Sequence, residues 1–434
     1  MTGARAPRVR WVMILVPVGI YFFSYFHRIA PAVVVEDVMV AFGATGAMIG
    51  LLTAIYPWLF ATMALPAGTL ADTLGPRWTL TAGGALMAVG SMAFGLAPTF
   101  NGAFGGRLLV GLGSSVILIA WLRLGSAWCR PDELARLAGL SQTVGSIGGL
   151  VGTAPLALLV AALGWRTSFV AIGGLTAVVA ATSGILIRDR PEAMGLPPIV
   201  DRPPPAPAMA LGELARGVRA VLGNPHSWPP VLVGGGVYST FVTFLGLWGV
   251  PYLSHVYGID RLEASRYTAW AALGTIVGAI SVGWLSDRVL GRRRLPMIVL
   301  AAAYAGVWCL LALPDSARLP LPALRPLCFL LGFASSVVAI VFAVVPEVND
   351  PARPGVAIGL CNVPSFTLLA ALQWVTGAML DAGWRGQLAG ARRVYPFAAY
   401  HAVWALCAAL AIGSALIAWW VRETRCRNVW TRPR

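Results

Sequence analysis

The chain has 434 residues, of which 58% are hydrophobic and only 11% are charged, and its formal net charge is +15. Its mean hydropathy is +0.76. Soluble globular proteins carry about 25% charged residues. The composition therefore excludes a soluble globular protein and predicts one that is embedded in lipid. The arginines are scattered through short loops, which is not the clustered pattern of a nucleic-acid-binding face. The six cysteines show no paired spacing and predict neither a disulfide nor a metal site.

Apolar runs of membrane-spanning length fill most of the chain. A helix of about 20 residues crosses the roughly 30 Å of hydrocarbon in a bilayer. Runs of that kind lie at 11–35, 46–67, 78–98, 101–124, 136–160, 166–187, 228–255, 265–286, 295–314, 323–346, 355–380 and 395–420. The first run follows a short basic segment and lacks an end typical of signal-peptide cleavage, so it is predicted to be retained. The sequence therefore predicts twelve transmembrane helices.

One long connection, at 188–226, separates the sixth and seventh spans. It contains a proline-rich stretch at 203–207 that is typical of a linker. The helical spacing at 211–222 predicts an amphipathic helix on the cytoplasmic membrane surface. The predicted organisation is a six-helix bundle at 1–187, this cytoplasmic linker at 188–226, a second six-helix bundle at 227–421 and a basic cytoplasmic tail at 422–434.

Arginine content differs between the two sets of loops. Most arginines lie in the N-terminal segment, the linker, the tail and the loops that follow even-numbered spans, whereas the other loops hold few. Because short arginine-rich segments stay in the cytoplasm, both termini are expected there. That arrangement requires an even number of spans, and twelve satisfies it.

A charged loop motif occurs once in each half of the chain. Gly, Leu and Asp at 68, 70 and 72 recur at 283, 285 and 287, and arginine follows each copy. The glycine allows two helices to approach closely, and the aspartate lies where a membrane helix meets water. A carboxylate there can pair in one conformation and release in another, so the motif predicts a gate. The gate candidates are Gly68, Asp72 and Arg77 in the first copy and Gly283, Asp287 and Arg288 in the second.

Shorter matches also relate the two halves. Gln142 in the fifth span and Asn362 in the eleventh occupy matching positions. The sequence at 114–116 is also repeated at 335–337. Parallel six-span repeats imply a pseudo-two-fold axis along the membrane normal and alternating access to a central site. Buried amides in a membrane either hold helices together or meet a substrate, so Gln142 and Asn362 are candidates for substrate binding.

The loop motif and a pattern in the fourth span resemble those of the major facilitator superfamily. The loop reads GTLADTLGPR in the first half and GWLSDRVLGRRR in the second, and Arg107-Leu-Leu-Val-Gly111-Leu-Gly113 is similar to the family's Arg-x-x-x-Gly-x-Gly pattern. The resemblance implies an all-α membrane protein of twelve transmembrane helices in two pseudo-symmetric six-helix bundles. It further implies a secondary transporter that is not an enzyme and needs no cofactor, a monomer in the bacterial inner membrane. Arg107, at the motif position, is a candidate for proton coupling.

Arg28 lies within the first predicted span, where a charge costs roughly 2.5–3.5 kcal/mol on insertion scales. It should therefore face a polar cavity or a partner. Tyr21, Tyr25 and Arg28 share one helical face, and the flat donor fork of arginine suits a carboxylate. These three residues form the predicted anion site. The alternative is an arginine near the outer interface that pairs with Glu36 or Asp37.

The same segment resembles the end of the first span in bacterial organic-anion porters, where a Tyr-x-x-Arg-like element lines the site. His27 stands where those porters have an acidic residue, and it is a candidate for proton coupling because histidine titrates near neutral pH. Tyr238 and Trp248 lie on one face of the seventh span, which lines the cavity in porters of this kind. Both are candidates for substrate binding, and plain packing is the alternative.

These residues predict a secondary transporter of a small organic anion, a carboxylate, with protons as a candidate coupling ion. A glycine-rich fifth span also suggests a nitrate or nitrite porter, but the paired arginines of such porters have no counterpart in spans two and eight. A multidrug exporter is a further rival, although only Gly152-Thr-Ala-Pro155 approaches the exporters' Gly-Pro motif. A membrane enzyme is disfavoured because no catalytic constellation is visible, and a sensor because both gate aspartates are present. The expected partners are the solute, protons and the lipid bilayer.

Overall fold

The structure is a computed structural model that describes residues 5–129, 133–197, 211–351 and 354–431. The side chains of Asp72 and Gln142, two of the candidate site residues, lie outside the described set. Helices α1 to α8 are Arg5–Ile29, Pro31–Phe42, Gly46–Thr73, Pro76–Leu96, Phe100–Trp128, Leu134–Val151, Ala154–Leu163 and Trp165–Leu186. Helices α9 to α17 are Leu211–Leu222, Trp228–Thr243, Gly249–Tyr257, Arg261–Trp284, Arg294–Leu311, Leu321–Ser335, Val337–Glu347, Pro354–Ala382 and Phe397–Ile417.

Twelve helices in the described part of the chain are long and apolar enough to cross a membrane. They confirm the twelve predicted spans, with shifts of a few residues at their ends. The helix α9, Leu211–Leu222, occupies the stretch for which the sequence predicts an amphipathic helix. A short antiparallel hairpin, Leu388–Ala389 with Arg392–Arg393, follows α16 and has no signal in the apolar pattern.

Three predicted spans are interrupted helices. The first ends at Ile29, and α2 starts at Pro31, which lacks the N–H that a continuous helix would use. The fifth breaks after Val151, and the tenth breaks at Ser336. At that last break the Ser336 hydroxyl donates to the Phe333 carbonyl at 2.5 Å, a local bond that competes with the helix ladder.

The chain forms two compact units. The first contains residues 1–30 and 58–209, and the second contains 31–57 and 210–434. The segment 31–57, which lies in the predicted N-terminal bundle, groups by its contacts with the second unit. There α2 packs on α11 and on the π-helical segment Phe244–Trp248.

Glycines bring α4 and α5 together in the first unit. A Cβ atom on Gly113 would lie 2.3 Å from the Gly83 carbonyl oxygen, and one on Gly90 would lie 2.6 Å from the Gly106 carbonyl oxygen. Only glycine permits such close approach of two membrane helices. The first unit therefore depends on small residues along this seam.

Aromatic side chains fill the second unit. Trp404 packs on Tyr252, Trp308 and Phe244 with ring centroids 5.3–5.6 Å apart. Trp404 and Trp308 are fully buried. Aromatic pairs add about 0.5–1.5 kcal/mol beyond the burial of their area, so this cluster holds α11, α13, α17 and the π-helical segment Phe244–Trp248 together.

Candidate functional site

Arg28 is the charged residue around which the candidate site of the first unit is built. Its guanidinium carbon lies 4.3 Å from the centre of the Tyr25 ring and 5.0 Å from that of Phe60. Tyr25 also packs edge-on against Tyr21 at 5.3 Å, and Tyr21 stacks on Trp121 at 5.9 Å. The three residues predicted to share a helical face therefore form one continuous aromatic and cationic surface, to which α3 contributes Phe60 and α5 contributes Trp121.

This surface has a defined chemistry. Arg28 and Tyr25 are half-buried, whereas Tyr21 is buried. The rings hold a guanidinium through cation–π attraction, worth about 0.5–1 kcal/mol at exposed sites and more when water is excluded. The donors of a guanidinium lie in its plane and match the two oxygens of a carboxylate. Such a surface suits a small anion with an apolar or sugar-like body.

Glycines of α6 allow this part of α1 to pack closely. A Cβ atom on Gly145 would lie 2.9 Å from the Tyr25 ring, and one on Gly148 would lie 2.4 Å from the carbonyl oxygen of Phe22. The glycine-rich fifth span, which the sequence offered as a likeness to nitrate porters, is thus a packing face for α1. It fixes the backbone that carries Arg28.

His27 and Arg107 lie together in the interior of the first unit. Arg107, only 2% exposed, donates from Nη1 to the His27 carbonyl oxygen at 3.0 Å. The His27 ring is fully buried and packs edge-on against Phe26 at 5.5 Å. Neither of its ring nitrogens has a hydrogen-bond partner among the described residues. A buried imidazole without hydrogen bonds destabilises the fold. Packing alone therefore does not explain why a histidine occupies this position.

In the second unit, Tyr238 packs against α16, the helix that carries Asn362, whereas Trp248 is buried in a different contact. Tyr238 meets Phe366 edge-on at 5.5 Å, and Asn362 lies one turn before Phe366 on α16. Asn362 is half-buried and makes no hydrogen bond with the described part of the chain. Trp248 is fully buried, and its indole nitrogen donates to Thr376 Oγ1 at 2.9 Å. Trp248 is thereby engaged in helix packing.

The two carboxylates that the sequence offered as alternative partners of Arg28 are held by cations of the second unit. Glu36 lies 3.3 Å from His255 and 3.1 Å from Arg392, and Asp37 lies 2.5 Å from Arg261. Burial alone would raise the pKa of the Glu36 carboxyl. The nearby His255, Arg392 and Arg261 outweigh burial and hold that pKa below its usual value.

A second acidic group anchors the start of α3. Asp381 accepts the backbone N–H of Gly46 at 2.8 Å and that of Ala47 at 2.7 Å, and the Tyr395 hydroxyl donates to it at 2.8 Å. An anion at a helix N-terminus satisfies unpaired N–H groups and the helix dipole. The first turn of α3 is therefore tied to α16.

The first copy of the gate motif binds the end of α8. The Arg77 guanidinium donates through Nε and Nη2 to the Gly184 carbonyl oxygen at 2.8 and 2.6 Å. Asp189 accepts the Arg77 backbone N–H at 2.6 Å. Gly75 has φ of 81°, which favours glycine before α4. Gly68 lies within α3, and Asp72 falls among the side chains that are not described.

The second copy of the gate motif forms an ion-pair network. Arg293 pairs with Asp287 and, at 2.9 Å, with Glu347 at the end of α15. Glu423 of the tail accepts the Arg293 backbone N–H at 2.9 Å. The Arg288 side chain is exposed and has no partner in the described part of the chain, and Gly283 lies within α12.

Four residues of these sites had no role in the sequence interpretation: Phe60, Arg293, Glu347 and Glu423. Each acts through a partner that is distant in sequence. The available signal was their position, because three are charges at the ends of apolar runs, where a membrane protein rarely leaves a charge without a role. Their pairing required the folded structure.

A family model described as Major Facilitator Superfamily matches residues 18–372. The chain therefore belongs to the Major Facilitator Superfamily and is a multi-pass membrane transporter, not an enzyme. The crystal structure of a bacterial homologue of the human lysosomal transporter Spinster has the same fold, with a TM-score of 0.76 over 96% of this chain and 97% of that chain at 17% identity.

Two curated relatives are similar in sequence. The membrane sensor protein UhpC of Salmonella typhimurium is 27% identical over 306 residues, 68% of each chain. The probable sulfoacetate transporter SauU of Cupriavidus necator is 23% identical over 287 residues, 63% of this chain and 64% of that one. These similarities extend over about two-thirds of each protein.

Proposed function

We propose that this protein is a secondary active transporter of a small organic anion, with Arg28 as the anion-binding group. The observation that carries the proposal is the position of Arg28 inside a membrane span, half-buried and against the rings of Tyr25 and Phe60. Arg28 is the penultimate residue of the first span, Val9–Ile29, and a charge there is costly unless it faces a polar cavity or a partner. A carboxylate that binds the guanidinium would offset this cost and gain two charge-assisted hydrogen bonds.

Further features support an anionic solute. Glu36 and Asp37 are occupied by His255, Arg392 and Arg261, which weakens the alternative of a structural ion pair for Arg28. The similar protein SauU is named as a probable sulfoacetate transporter, and sulfoacetate is an organic anion. Tyr21 completes the surface in the first unit. In the second unit, Tyr238 and Asn362 are proposed as substrate-binding residues because they offer a hydroxyl and an amide. Gln142 is proposed as the counterpart of Asn362, and Trp248 as a residue that supports the site through α16.

The transport cycle is proposed to be alternating access, with the two copies of the gate motif as gates. Arg77 joins α4 to α8, and Asp287 joins α12 to Arg293. Breaking such pairs changes the balance between conformations more than the affinity for the solute. Gly68, Asp72, Gly283 and Arg288 complete the proposed gates. The arginine distribution supports cytoplasmic termini for a protein of the bacterial inner membrane, and a monomer is sufficient for this mechanism.

Proton coupling is proposed to involve His27 beside Arg107. The His27 ring is fully buried without a hydrogen-bond partner among the described residues, so protonation requires a conformation that admits water. Uptake with and without an inward pH gradient tests this role. We expect the His27→Asn variant to lose the gradient dependence. An unchanged response to the gradient in that variant would assign coupling to another group.

Uptake of labelled carboxylates into proteoliposomes tests the anion site. We expect Arg28→Ala to abolish uptake and Arg28→Lys to restore little of it, because an ammonium cannot replace the bidentate fork. Arg123→Ala, at an exposed position on α5 of the same unit, is the matched control and should transport normally. Wild-type uptake by Arg28→Ala would refute the site.

A sensor is the second candidate, because the relative UhpC is named as a membrane sensor protein. A sensor would bind the same anion through Arg28 without moving it across the membrane. Binding that Arg28→Ala removes, together with no uptake by the wild type under any gradient, would favour the sensor over the transporter.

A further inference from the structure

A cavity of about 390 Å³ lies at the end of the first unit where α4 begins and α8 ends. It is far in sequence from the Arg28 surface, and it shares only Arg77 with the proposed gates. Its volume falls within the range of about 300–1,000 Å³ that is typical of small-molecule sites. The lining residues are Arg77, Arg188, Asp189, Arg190, Glu192 and Ala193.

Three arginines dominate the charge of this cavity. Arg77 and Arg188 are half-buried, and Arg190 is exposed, with no side-chain hydrogen bond to the described part of the chain. The Arg77 guanidinium is fixed by the Gly184 carbonyl. Arg188 Nη1 donates to the carbonyl oxygens of Ile185 and Ile187 at 2.8 Å each. Their remaining donors form a fixed set suited to an oxyanion.

The two acidic residues do not cancel this charge. Asp189 accepts the Arg77 backbone N–H at 2.6 Å, so the positive end of α4 already partly neutralises it. Glu192 is exposed, and solvent screens its charge. The indole nitrogen of Trp128 donates to the Arg188 carbonyl oxygen at 2.8 Å and holds the floor of the cavity in place.

Beside the cavity, three exposed apolar side chains lie within three residues of Arg77 or Arg188 along the chain, and they are called the apolar rim here. The spans Pro76–Leu96 and Trp165–Leu186 both end beside it. Leu74 and Trp78 are each 54% exposed, and Ile185 is 68% exposed. Tryptophan is enriched at membrane–water interfaces, and the Arg77 guanidinium lies 4.9 Å from the Trp78 ring centre. An occupant would thus have its charge in the cavity and hydrocarbon along these side chains.

We propose that this cavity binds the phosphate group of an anionic phospholipid. Clustered arginines at the ends of membrane helices bind such headgroups, and a guanidinium matches phosphate geometry in the same way as carboxylate. The apolar rim selects a lipid phosphodiester over free phosphate, because only the lipid has acyl chains to cover Trp78 and Ile185.

Native mass spectrometry of the purified protein with phosphatidylglycerol, phosphatidylcholine or inorganic phosphate tests this site. We expect the wild type to retain phosphatidylglycerol in preference to phosphatidylcholine. The double variant Arg188→Gln/Arg190→Gln should bind it about 30-fold more weakly, at about 1 kcal/mol for each arginine near the lipid surface. The control is Arg325→Gln/Arg385→Gln, which removes two exposed arginines of the second unit and should bind like the wild type.

A variant that binds phosphatidylglycerol more tightly than the wild type cannot be explained by misfolding, so it tests the site independently. Glu192→Gln removes a negative charge from the lining and should bind phosphatidylglycerol several-fold more tightly. Equal retention of phosphatidylglycerol by all variants would overturn the site. Retention of inorganic phosphate that depends on Arg188 and Arg190, without retention of the lipid, would overturn the lipid source and assign a soluble phosphate compound.

Discussion

Arg28 owes its proposed role to its surroundings on three helices. Tyr25 of α1 and Phe60 of α3 contact its guanidinium, and Trp121 of α5 supports the surface through Tyr21. Helical periodicity predicted that Tyr21, Tyr25 and Arg28 share a face, because these positions are close in sequence. Phe60 was not predictable, because its contact depends on how α3 packs against α1.

The Phe60 ring should contribute to affinity through its π face. Phe60→Leu keeps an apolar side chain of similar size but removes the cation–π attraction of about 0.5–1 kcal/mol. We expect the solute to bind about two- to fivefold more weakly, with the maximal transport rate nearly unchanged. Phe342→Leu, an exposed phenylalanine of the second unit, is the control. Concentration-dependent uptake measures the difference, and equal KM values would exclude Phe60 from the site.

At the scale of elements, close packing of α6 on α1 fixes the site. The Gly148 backbone leaves no room for a side chain beside the Phe22 carbonyl. By contrast, a Cβ atom on Gly149 would meet only Ile29 Cγ1 at 3.7 Å, an ordinary contact. Two adjacent glycines of one helix thus have opposite tolerance for substitution.

This contrast gives a paired test of stability. Gly148→Ala should destabilise the protein by about 1–3 kcal/mol, because a backbone oxygen must move. Gly149→Ala should be neutral or stabilising, since alanine favours the helix over glycine by about 1 kcal/mol. Thermal unfolding of both variants checks the prediction. If the two melt alike, then α6 does not pack on α1 in this way.

The ion pairs of α2 should make stability depend on pH. The pKa of Glu36 is held below its ordinary value of 4.5, chiefly by His255 against the effect of burial. A lowered pKa means that the carboxylate stabilises the fold above about pH 4.5 and that this contribution is lost as the pH falls through the folded-state pKa. The difference in melting temperature between the wild type and Glu36→Gln should therefore shrink in acid.

The exposed Glu192 provides the control for this experiment, because Glu192→Gln removes a carboxylate that no described cation pairs with. It should melt like the wild type at each pH. A difference between the wild type and Glu36→Gln that does not shrink at all as the pH is lowered through the acid range would mean that the Glu36 carboxylate contributes nothing through its charge.

At the scale of the whole molecule, the fold followed from composition and periodicity, whereas the boundaries of its units did not. Twelve apolar runs identified the spans because lipid imposes a fixed length on each. The apolar pattern continues without change through Ala30 and Ser336, so it could not reveal the breaks there. The assignment of 31–57 to the second unit depends on contacts with residues more than 200 positions away, such as Asp37 with Arg261.

The gate contacts could also be predicted only in part from the sequence. The repeated glycines and aspartates marked both loops, and Arg77 and Asp287 form structural contacts there. The second loop depends equally on Arg293 and Glu347, which are 54 residues apart. A loop motif identifies where such a network lies, but its partners come from neighbouring helices and appear only in the folded chain.

The most direct test of an anion site at Arg28 is a thermal-unfolding screen of the purified wild type and Arg28→Ala. Mono- and dicarboxylates, sulfonates, nitrate, amino acids, sugars and cationic drugs would each be added in turn. A ligand at 100 times its dissociation constant adds about 2.7 kcal/mol to the folded state. We predict that one class of organic anion stabilises the wild type and has no effect on Arg28→Ala. Equal stabilisation of both proteins by a neutral or cationic compound would contradict the anion site.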